Sequence, residues 1–560
     1  MRFILTALLM FFAILAKSEN IYINPDCTTN GGGFTQDCSD GANGPRNSWD
    51  GMTYLAGNAY LGKGGKTAYY PSCNFLINAS GTDALHQITL GSYGTGKHII
   101  ACESGYVFGE TQRSWITIEN LDLTASTNHC ILLQGSGNIT VKNVIFRSCD
   151  ASGIGLDGGN AWVDHDRLTI AGNKFIQTGS SAIAGSPSLS NTQEWTSIRI
   201  SGNLFEAGVA SRGGAYGPPA IDFLQIADKG GVGVQNKISN LEIDNNTFHG
   251  VNYKSENPSY LIRVSRAPFP PNPSYSADQS NCVREYSFFG TYIHDNIATD
   301  IGGGIGVHFS RGSNISRNYL SNFRAGTVIA LFYSESMYTG ENVIDEINTG
   351  AFAAYWDGIG IDYDFCTRNG IIARNHISNA RGSDVANADW NGQAITVFAA
   401  NSHKIYANVL VNNRFGVTFG DDILTTNYNP NELYNNTIAY STRDGISTRF
   451  STDQGNHIYN NIIAYNARYG LRADGPGEQH LTNNLFFRNG GGDIVSNGSG
   501  TGQVSSDPLF VGGNTVNAYR IRANSPAYRG GTPILWPYTD YAGRFRPTPQ
   551  SIGAFEPTVQ

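Results

Sequence analysis

The chain has 560 residues, of which only 15% are charged, and a formal net charge of −8. This balance excludes proteins that bind nucleic acid by neutralising phosphates with lysine and arginine. Its 67 glycines are too many for a helical bundle, and its 29 tyrosines and 28 phenylalanines are too many for a disordered chain. The composition therefore predicts an ordered all-β protein.

The N-terminus has the features of an export signal. Arg2 precedes an apolar run from residue 4 to residue 16, and Ala16-Lys17-Ser18 supplies small residues for cleavage. No later segment approaches the roughly 20 unbroken apolar residues of a membrane-spanning helix. We therefore expect a signal peptide over residues 1–18 and a soluble protein secreted to the periplasm or the extracellular space, with no membrane partner.

Cysteines and glycosylation sequons agree with export. An even number of cysteines without a C-x-x-C motif favours structural disulfides over zinc, and a short glycine-rich loop predicts the pair Cys27–Cys38. The remaining cysteines are Cys73, Cys102, Cys130, Cys149, Cys282 and Cys366. N-x-S/T sequons, which predict a glycoprotein in a glycosylating host, begin at Asn78, Asn138, Asn245, Asn314, Asn435 and Asn497.

An internal repeat begins at about residue 115. Each copy has a short strand, an asparagine-rich turn, a second strand and a glycine that opens a third, as in residues 137–146, 198–205 and 241–248. Apolar residues that alternate along short strands can fill a narrow core, and asparagines at tight turns can stack and satisfy backbone groups. The repeat therefore predicts a parallel β-solenoid.

These repeats resemble those of right-handed parallel β-helix proteins, especially secreted pectate-lyase-like polysaccharide enzymes. Residues 357–366 and 369–377 are similar to a coil common in bacterial β-helix enzymes. Residues 506–510, 540–544 and 552–556 look like the C-terminal closing segment of those enzymes.

The resemblance implies an all-β, single-stranded right-handed parallel β-helix with capped ends. Residues 19–114 would form an N-terminal cap and the first coils, residues 115–505 the β-helix with long loops on its middle coils, and residues 506–560 a closing segment over the open end of the core.

Outward positions on successive third strands should form columns, because stacked coils lie about 4.8 Å apart. The strands are aligned on the apolar positions Ile154, Ile183, Ile221, Ile262, Ile305, Ile329, Ile359, Ile395, Val417, Ile446 and Leu471. The first predicted outward column contains Asp222, Arg263, Gly306, Ala330, Gly360 and Thr396. The second contains Asp157, Leu224, Ser265, His308, Phe332, Asp362 and Phe398.

Small residues in the first column predict a shallow trough beside His308. Arginines would line one side of it, and acidic residues with a tyrosine would line the other: Arg263, Arg266 and Arg311, then Asp362, Asp364 and Tyr333. Long insertions before residues 221, 262 and 305 add loops beside the same coils, where binding residues tend to lie.

The predicted trough suits β-elimination from a uronic acid. The arginines could pair with the substrate carboxylate, His308 could remove the adjacent proton, and Tyr333 could protonate the leaving oxygen. In the alternative without a function, His308 hydrogen-bonds a neighbouring turn. Asp222 lies four coils from Asp362, about 19 Å away, so we place it as a substrate contact and not as half of a carboxylate pair.

Asp362 and Asp364 project from the same side of one strand, about 6.5–7 Å apart. They could bind Ca²⁺, act as the acid and base of an inverting glycosidase, or cap turns. Nearby aromatic side chains are predicted to pack on sugar rings, with Trp356, Tyr363 and Trp390 as substrate contacts. Lysine is sparse on these coils, which departs from the calcium-dependent pectate lyases.

The sequence thus predicts a secreted, monomeric polysaccharide lyase that acts on an acidic polysaccharide, with Ca²⁺ as a candidate ion and no organic cofactor. A uronate C5-epimerase and a glycoside hydrolase are the alternatives on the same scaffold, because epimerisation begins with the same proton abstraction and a hydrolase could use the aspartates. A carbohydrate-binding or adhesin-like solenoid without catalysis is the alternative from a different class.

Overall fold

The structure is a computed structural model. It describes residues 18–125, 127–157, 165–186, 194–208, 218–226, 236–252, 260–267, 286–324, 326–347, 358–382, 391–420, 429–449, 455–474, 477–495, 498–536 and 539–557. The predicted signal peptide therefore lies outside the described residues, apart from Ser18. None of the helices in the described part is long and apolar enough to cross a membrane.

Three parallel sheets form one long β-helix, and each coil contributes a strand to the first, second and third sheet in turn. The first sheet has the 19 strands Asn20–Ile23, Ala59–Lys63, Ile88–Tyr93, Ser114–Glu119, Gly137–Lys142, Asp166–Ala171, Glu194–Ser201, Lys237–Asp244, Phe288–Phe289, Tyr292–His294, Ser310–Arg311, Asn314–Ser316, Tyr338–Gly340, Ile371–Ala373, Lys404–Tyr406, Glu432–Tyr434, His457–Tyr459, Gln479–Thr482 and Gly498–Thr501.

The second sheet has the 16 strands Thr67–Tyr70, His98–Cys102, Leu121–Ala125, Ile145–Arg147, Lys174–Gln177, Leu204–Gly208, Thr247–His249, Ile297–Ile301, Tyr319–Phe323, Val343–Ile347, His376–Ala380, Val409–Val411, Thr437–Ala439, Ile462–Ala464, Leu485–Phe487 and Val504–Ser505.

The third sheet has the 15 strands Phe75–Ile77, Phe108–Thr111, Ile131–Gln134, Ile154–Asp157, Ile183–Ser186, Ile221–Ile226, Ile262–Ala267, Ile305–His308, Thr327–Phe332, Ile359–Asp364, Gln393–Phe398, Phe415–Gly420, Ile446–Arg449, Tyr469–Ala473 and Gly492–Val495. Two 3₁₀ helices, Cys38–Asn43 and Val516–Tyr519, complete the described secondary structure. The predicted all-β parallel β-helix is confirmed.

Coils stack in register because equivalent residues on neighbouring coils have the same character. In the core, Phe146, Phe175, Phe205 and Phe248 stack one above another, with ring centroids 4.6, 4.9 and 4.5 Å apart. Each of these rings is buried, so the stack contributes apolar burial as well as ring contact.

A buried asparagine ladder holds one turn of the β-helix. Its members are Asn173, Asn203, Asn246, Asn296, Asn318, Asn342, Asn375, Asn408, Asn436, Asn461, Asn484 and finally Gln503. Asn342 Nδ2 donates to Asn375 Oδ1 at 3.0 Å and to Ile315 O at 3.0 Å, while its Oδ1 accepts from the backbone N–H and Nδ2 of Asn318. The prediction that turn asparagines stack and satisfy backbone groups is confirmed.

The glycine that opens each third strand is explained by close backbone contact. A Cβ on Gly416 would lie 2.4 Å from the carbonyl oxygen of Gly445, and a Cβ on Gly445 would lie 2.8 Å from that of Gly470. Real Cβ atoms do not approach an oxygen this closely, so the corner before the third sheet requires glycine on successive coils.

The coils begin early in the chain. Strand Asn20–Ile23 pairs with Ala59–Lys63, which pairs with Ile88–Tyr93, so the stacking of coils starts within residues 19–114. Three disulfides lie in this region and the next coils: Cys27–Cys38, which was predicted, Cys73–Cys102 and Cys130–Cys149.

The C-terminal segment lies along the outside of the second sheet instead of only closing the end of the core. Its apolar residues Ile521, Ala527 and Ile552 pack on Ile462, Ala464 and Leu485, and Ala554 and Phe555 pack on Val409, Val411 and Ala439. The outward positions of these coils are apolar, which is why they need a cover. Asn435, a sequon residue, is buried beneath the segment and donates to Ser551 O.

We expect loss of one ladder asparagine to destabilise the whole β-helix. Asn342→Ala removes both acceptors and donors at once and leaves buried groups of Asn318 and Ile315 without their bonds, so Tm should fall by an amount that corresponds to about 2–4 kcal/mol. Asn20→Ala, on an exposed residue, is the control and should change stability by less than about 0.5 kcal/mol. Thermal unfolding followed by circular dichroism tests this, and equal Tm values would contradict it.

The buried carboxyl group of Glu110 should make the folded protein less stable at alkaline pH. Its carboxyl group is buried and accepts from the backbone N–H groups of Arg113 and Gln134, and burial raises its pKa to about 8. Because the folded protein holds this proton more tightly than the unfolded chain, stability is full below about pH 4.5 and falls as the pH rises through about 8. Glu110→Gln should flatten the plot of Tm against pH in this window, whereas the control Glu119→Gln, which removes an outer pair with Lys142, should keep the wild-type slope.

Candidate functional site

The register of the third sheet differs from the predicted alignment at one strand. Ile329 pairs with Ile361, so Ala330 lies opposite Asp362 and Phe332 opposite Asp364. The alignment on Ile359 was wrong by two residues, because Ile359 and Ile361 alternate equally well and a pattern of period two cannot separate these registers.

The corrected first column gathers charge. From coil to coil it contains Asp222, Arg263, Gly306, Ala330, Asp362 and Thr396, followed by Thr418 and Ser447, and we call it the outer column. Gly360 does not belong to it, since a Cβ there would meet Ala394 O at 2.5 Å and the side chain of Ile377.

The predicted arginine wall is divided among three places. Arg263 pairs with Asp222 through two hydrogen bonds, Nε to Oδ1 at 2.8 Å and Nη2 to Oδ2 at 2.6 Å. Arg266 is half-buried near the end of the same strand. Arg311 was placed wrongly, because its strand belongs to the first sheet, where it lies 3.7 Å from Glu335.

His308 is enclosed and does not line an open trough. Its side chain has no exposed surface, its Nδ1 lies 3.0 Å from Ser265 Oγ, and its ring stacks on Phe332 with the centroids 4.7 Å apart. Burial, and then the charge of Arg263, lowers the pKa of His308 to about 3. The imidazole is therefore uncharged at neutral pH.

Tyr260 fills the predicted trough and was missed by the sequence analysis. A Cβ on Gly306 would lie 2.8 Å from its ring, and the ring meets His308 edge-on with the centroids 5.3 Å apart. Burial, and then the charge of Asp362, raises the pKa of the Tyr260 phenol, so the phenol keeps its proton.

A sequence signal for Tyr260 exists in an earlier coil. His129 stands two residues before the strand Ile131–Gln134, and its ring lies 2.7 Å from where a Cβ of Gly155 would be, one coil further on. Tyr260 stands two residues before Ile262–Ala267 and covers Gly306 in the same way. An aromatic residue at this position, opposite an outward glycine of the next coil, is the recognisable pattern.

The two other predicted tyrosines lie elsewhere. Tyr333 follows its strand in the left-handed region, at φ 52°, and stacks on Phe309 with the centroids 4.9 Å apart, so Tyr260 and not Tyr333 contacts His308. Tyr363 was wrongly predicted to face sugar, because it points into the core, where its hydroxyl lies 3.0 Å from Thr339 Oγ1.

Asp362 and Asp364 both project from the outer face of their strand, as predicted. Asp362 is buried and Asp364 is half-buried, and Asp364 Oδ1 accepts from the backbone N–H of Phe365 at 2.7 Å. Ca²⁺ takes about 6–8 oxygen ligands, and across the described ranges no three His, Cys, Asp or Glu residues come together as a metal site. The two carboxylates alone supply too few ligands for Ca²⁺.

Trp356 and Trp390 lie outside the described residues, so their predicted contacts with sugar stay predictions. The catalytic roles predicted for His308, Tyr333 and Arg263 also stay predictions. So do the binding roles predicted for Arg266, Arg311, Asp222 and Asp362. The geometry above brings His308, Arg263 and Tyr260 together.

Comparison with known proteins supports the fold. Residues 385–508 match a family model described as a right handed beta helix region, which agrees with the right-handed parallel β-helix fold of the described residues. No curated protein matches the sequence.

Among solved structures, the chain is similar to a GH136 lacto-N-biosidase from Eubacterium ramulus, with 13% identity, coverage of 86% of this chain and 68% of that one, and a TM-score of 0.35. It is also similar to pectate lyase Pel9A, with 13% identity, 97% coverage of each chain and a TM-score of 0.23. For the PL6 family alginate lyase AlyGC the identity is 13%, the coverage 97% of this chain and 59% of that one, and the TM-score 0.41. These likenesses assign no activity to the chain.

Proposed function

We propose that the protein is a secreted polysaccharide lyase that cleaves a uronic-acid polymer by β-elimination on the outer face of the third sheet. The observation that supports this proposal is the meeting of His308, Tyr260 and Arg263 at Gly306. Export of such an enzyme agrees with the three disulfides and with the signal expected at the N-terminus.

The protonation states of these residues suit the reaction. His308, uncharged, can accept the proton at C5, and Tyr260, protonated, can give its proton to the oxygen that leaves C4 as the C4–O bond breaks. The electrons of the C5–H bond then form the new double bond. Since Arg263 contributes to the low pKa of His308, a substrate carboxylate near Arg263 would oppose that effect and strengthen the base.

Arg263 can contact a substrate carboxylate while it remains paired with Asp222. A guanidinium group has five N–H donors, and the two bonds to Asp222 use only Nε and one hydrogen of Nη2. Its side chain is 26% exposed, whereas His308 has no exposed surface. The reaction therefore requires the Tyr260 ring to leave Gly306 when polymer binds, so that C5 can reach the imidazole.

Glycoside hydrolysis is the second candidate, and the acidic pair favours it. Asp362 and Asp364 project from the same face of one strand, and Asp362 belongs to the same column as Arg263. Inverting hydrolysis uses two carboxyl groups about 6.5–9.5 Å apart with a water between them. This chemistry would release reducing ends without forming a double bond.

The lyase proposal is tested by following the ultraviolet absorbance of an unsaturated uronate during incubation with alginate, pectate, glucuronan and glycosaminoglycans. At least one polymer should produce the chromophore, and Tyr260→Phe, which keeps the ring on Gly306, should lower kcat by about a hundredfold or more. His308→Gln should do the same. Tyr319→Phe, on an exposed tyrosine of the second sheet, should retain wild-type activity.

Three outcomes separate the alternatives. If new reducing ends form without the chromophore, and if Asp362→Asn abolishes their formation, the enzyme is a hydrolase and not a lyase. Uronate residues inverted at C5 without cleavage of the polymer would indicate an epimerase. If no product of any kind forms, the result would favour a carbohydrate-binding protein without catalysis. Loss of activity in Tyr333→Phe with full activity in Tyr260→Phe would return the acid role to the tyrosine that the sequence analysis chose.

The pH profile gives an independent prediction. A base is active when unprotonated, and the pKa of His308 in the free protein is lowered to about 3. The value of kcat/KM, which reports the free enzyme, should therefore stay level as the pH falls from about 8 to about 5 and decline only toward about pH 3. A decline centred near the ordinary imidazole pKa of about 6.5 would contradict the assignment of His308 as the base.

A further inference from the structure

Beyond Asp362 the outer column continues as a row of hydroxyl residues. Asp362 pairs with Thr396, Thr396 with Thr418, and Thr418 with Ser447, each on the next coil. Neighbouring coils lie about 4.8 Å apart, so the three hydroxyls follow one another at even steps along the axis of the β-helix.

These hydroxyls are buried and lack hydrogen-bond partners. Thr396, Thr418 and Ser447 are 7%, 5% and 0% exposed, and no partner lies within hydrogen-bond distance of their hydroxyl oxygens in the described structure. A buried polar group without a partner costs about 1–3 kcal/mol, and such groups are rare in folded proteins.

Among the other buried hydroxyl residues that the structure describes, Thr437 and Thr367 are bonded, whereas the hydroxyls of Thr291 and Ser441 also lack a hydrogen-bond partner. Thr437 Oγ1 accepts from the backbone N–H of Ala554 at 3.0 Å, and Thr367 Oγ1 donates to Leu331 O at 3.1 Å. The same residue type in the same fold thus finds partners on the second sheet and in a turn. The row differs from Thr291 and Ser441 in that three such hydroxyls follow one another on successive coils of one sheet, and this succession points to a partner outside the polypeptide.

The spacing and chemistry of the row describe that partner. A hydroxyl group both donates and accepts, so the row fits a ligand whose hydrogen-bonding groups recur at nearly the step of one coil. A sugar chain laid along the axis has this property, because each ring carries hydroxyls and the rings follow one another at a comparable interval. Arg472, the next residue of the column, is paired with Asp474.

We propose that Thr396, Thr418 and Ser447 bind hydroxyl groups of successive sugar residues in a polysaccharide chain. The inference rests on the proposed function, since it supplies subsites for a polymer whose reacting residue lies at His308. The row is as buried as His308. A single movement that exposes the outer face of the third sheet therefore has to give the polymer access to both the row and His308.

Valine and alanine substitutions test the inference through stability. Thr396→Val, Thr418→Val and Ser447→Ala remove a buried hydroxyl that has no partner, so each variant should have a Tm equal to or above that of the wild type. Thr437→Val is the matched control, because its hydroxyl is bonded, and it should lower Tm.

Binding is measured by calorimetric titration with galacturonate, mannuronate and glucose oligosaccharides from disaccharide to hexasaccharide. All proteins carry His308→Gln, so that no oligosaccharide is cleaved. Affinity for the longer members of one series should weaken about two- to tenfold with each substitution in the row and stay unchanged in Thr437→Val.

A fall in Tm with unchanged affinity would overturn the inference, because it would mean that internal water satisfies the row. Failure of every oligosaccharide to bind would also overturn it. The outcome is separable from that of the lyase assay. If the row variants bind oligosaccharides more weakly but the wild type forms no unsaturated product, only the lyase proposal is refuted. If the wild type forms an unsaturated product but the row variants bind with unchanged affinity, only the proposed role of the row is refuted.

Discussion

The step of one coil, about 4.8 Å, is the constraint on which the rest of the structure depends. The asparagine ladder enforces it, because each amide can bond its neighbour only when the coils stand at this distance. The side-chain amides of Asn318, Asn342 and Asn375 form their hydrogen bonds, as donors and as acceptors, within the ladder and with the adjacent backbone. All three side chains are buried. A buried polar network of this kind is stabilising when every member is satisfied, so the ladder fixes the register of the whole solenoid.

This constraint turns every position of a coil into a column. Core positions repeat one kind of residue, as in the phenylalanine stack, because similar side chains pack well on one another at this distance. On the outer face of the third sheet the identities change from coil to coil. Asp222, Arg263, Gly306 and Asp362 share one column, and each differs from its neighbour in charge or size. Differences along a column, and not the repeat itself, create the conditions for chemistry.

The sequence was sufficient for the repeat and insufficient for contacts between coils. Strand, asparagine turn and corner glycine could be predicted because each has a local cause. The register at Ile359 could not, because a shift by two residues preserves the alternation and only packing against Ile329 and Ile395 chooses Ile361. Tyr363, in contrast, could have been assigned from the sequence, since an outward Asp362 on the same strand places Tyr363 in the core in either register.

Tyr260 shows a different limit of sequence reasoning. Its place over Gly306 depends on the neighbouring coil, which lies more than forty residues along the chain and is reached only through the fold. The enclosure of His308 has the same origin, because Tyr260 and Phe332 cover it from two coils. An isolated histidine in the sequence carries no information about such neighbours, and its pKa follows from them.

The three outer faces of the β-helix use their polar groups differently. The first sheet pairs its charges, as Arg199 does with Asp244 through bonds of 3.1 and 2.9 Å, and the second sheet is covered over several coils by the C-terminal segment. On the third sheet an uncharged histidine, a protonated tyrosine and a row of hydroxyls are enclosed together. The asparagine ladder is bonded from coil to coil, whereas the buried hydroxyls of Thr396, Thr418 and Ser447 lack hydrogen-bond partners on three successive coils. A ligand that bonds these hydroxyls would complete the structure, and this is why we place the proposed polysaccharide site on the third sheet.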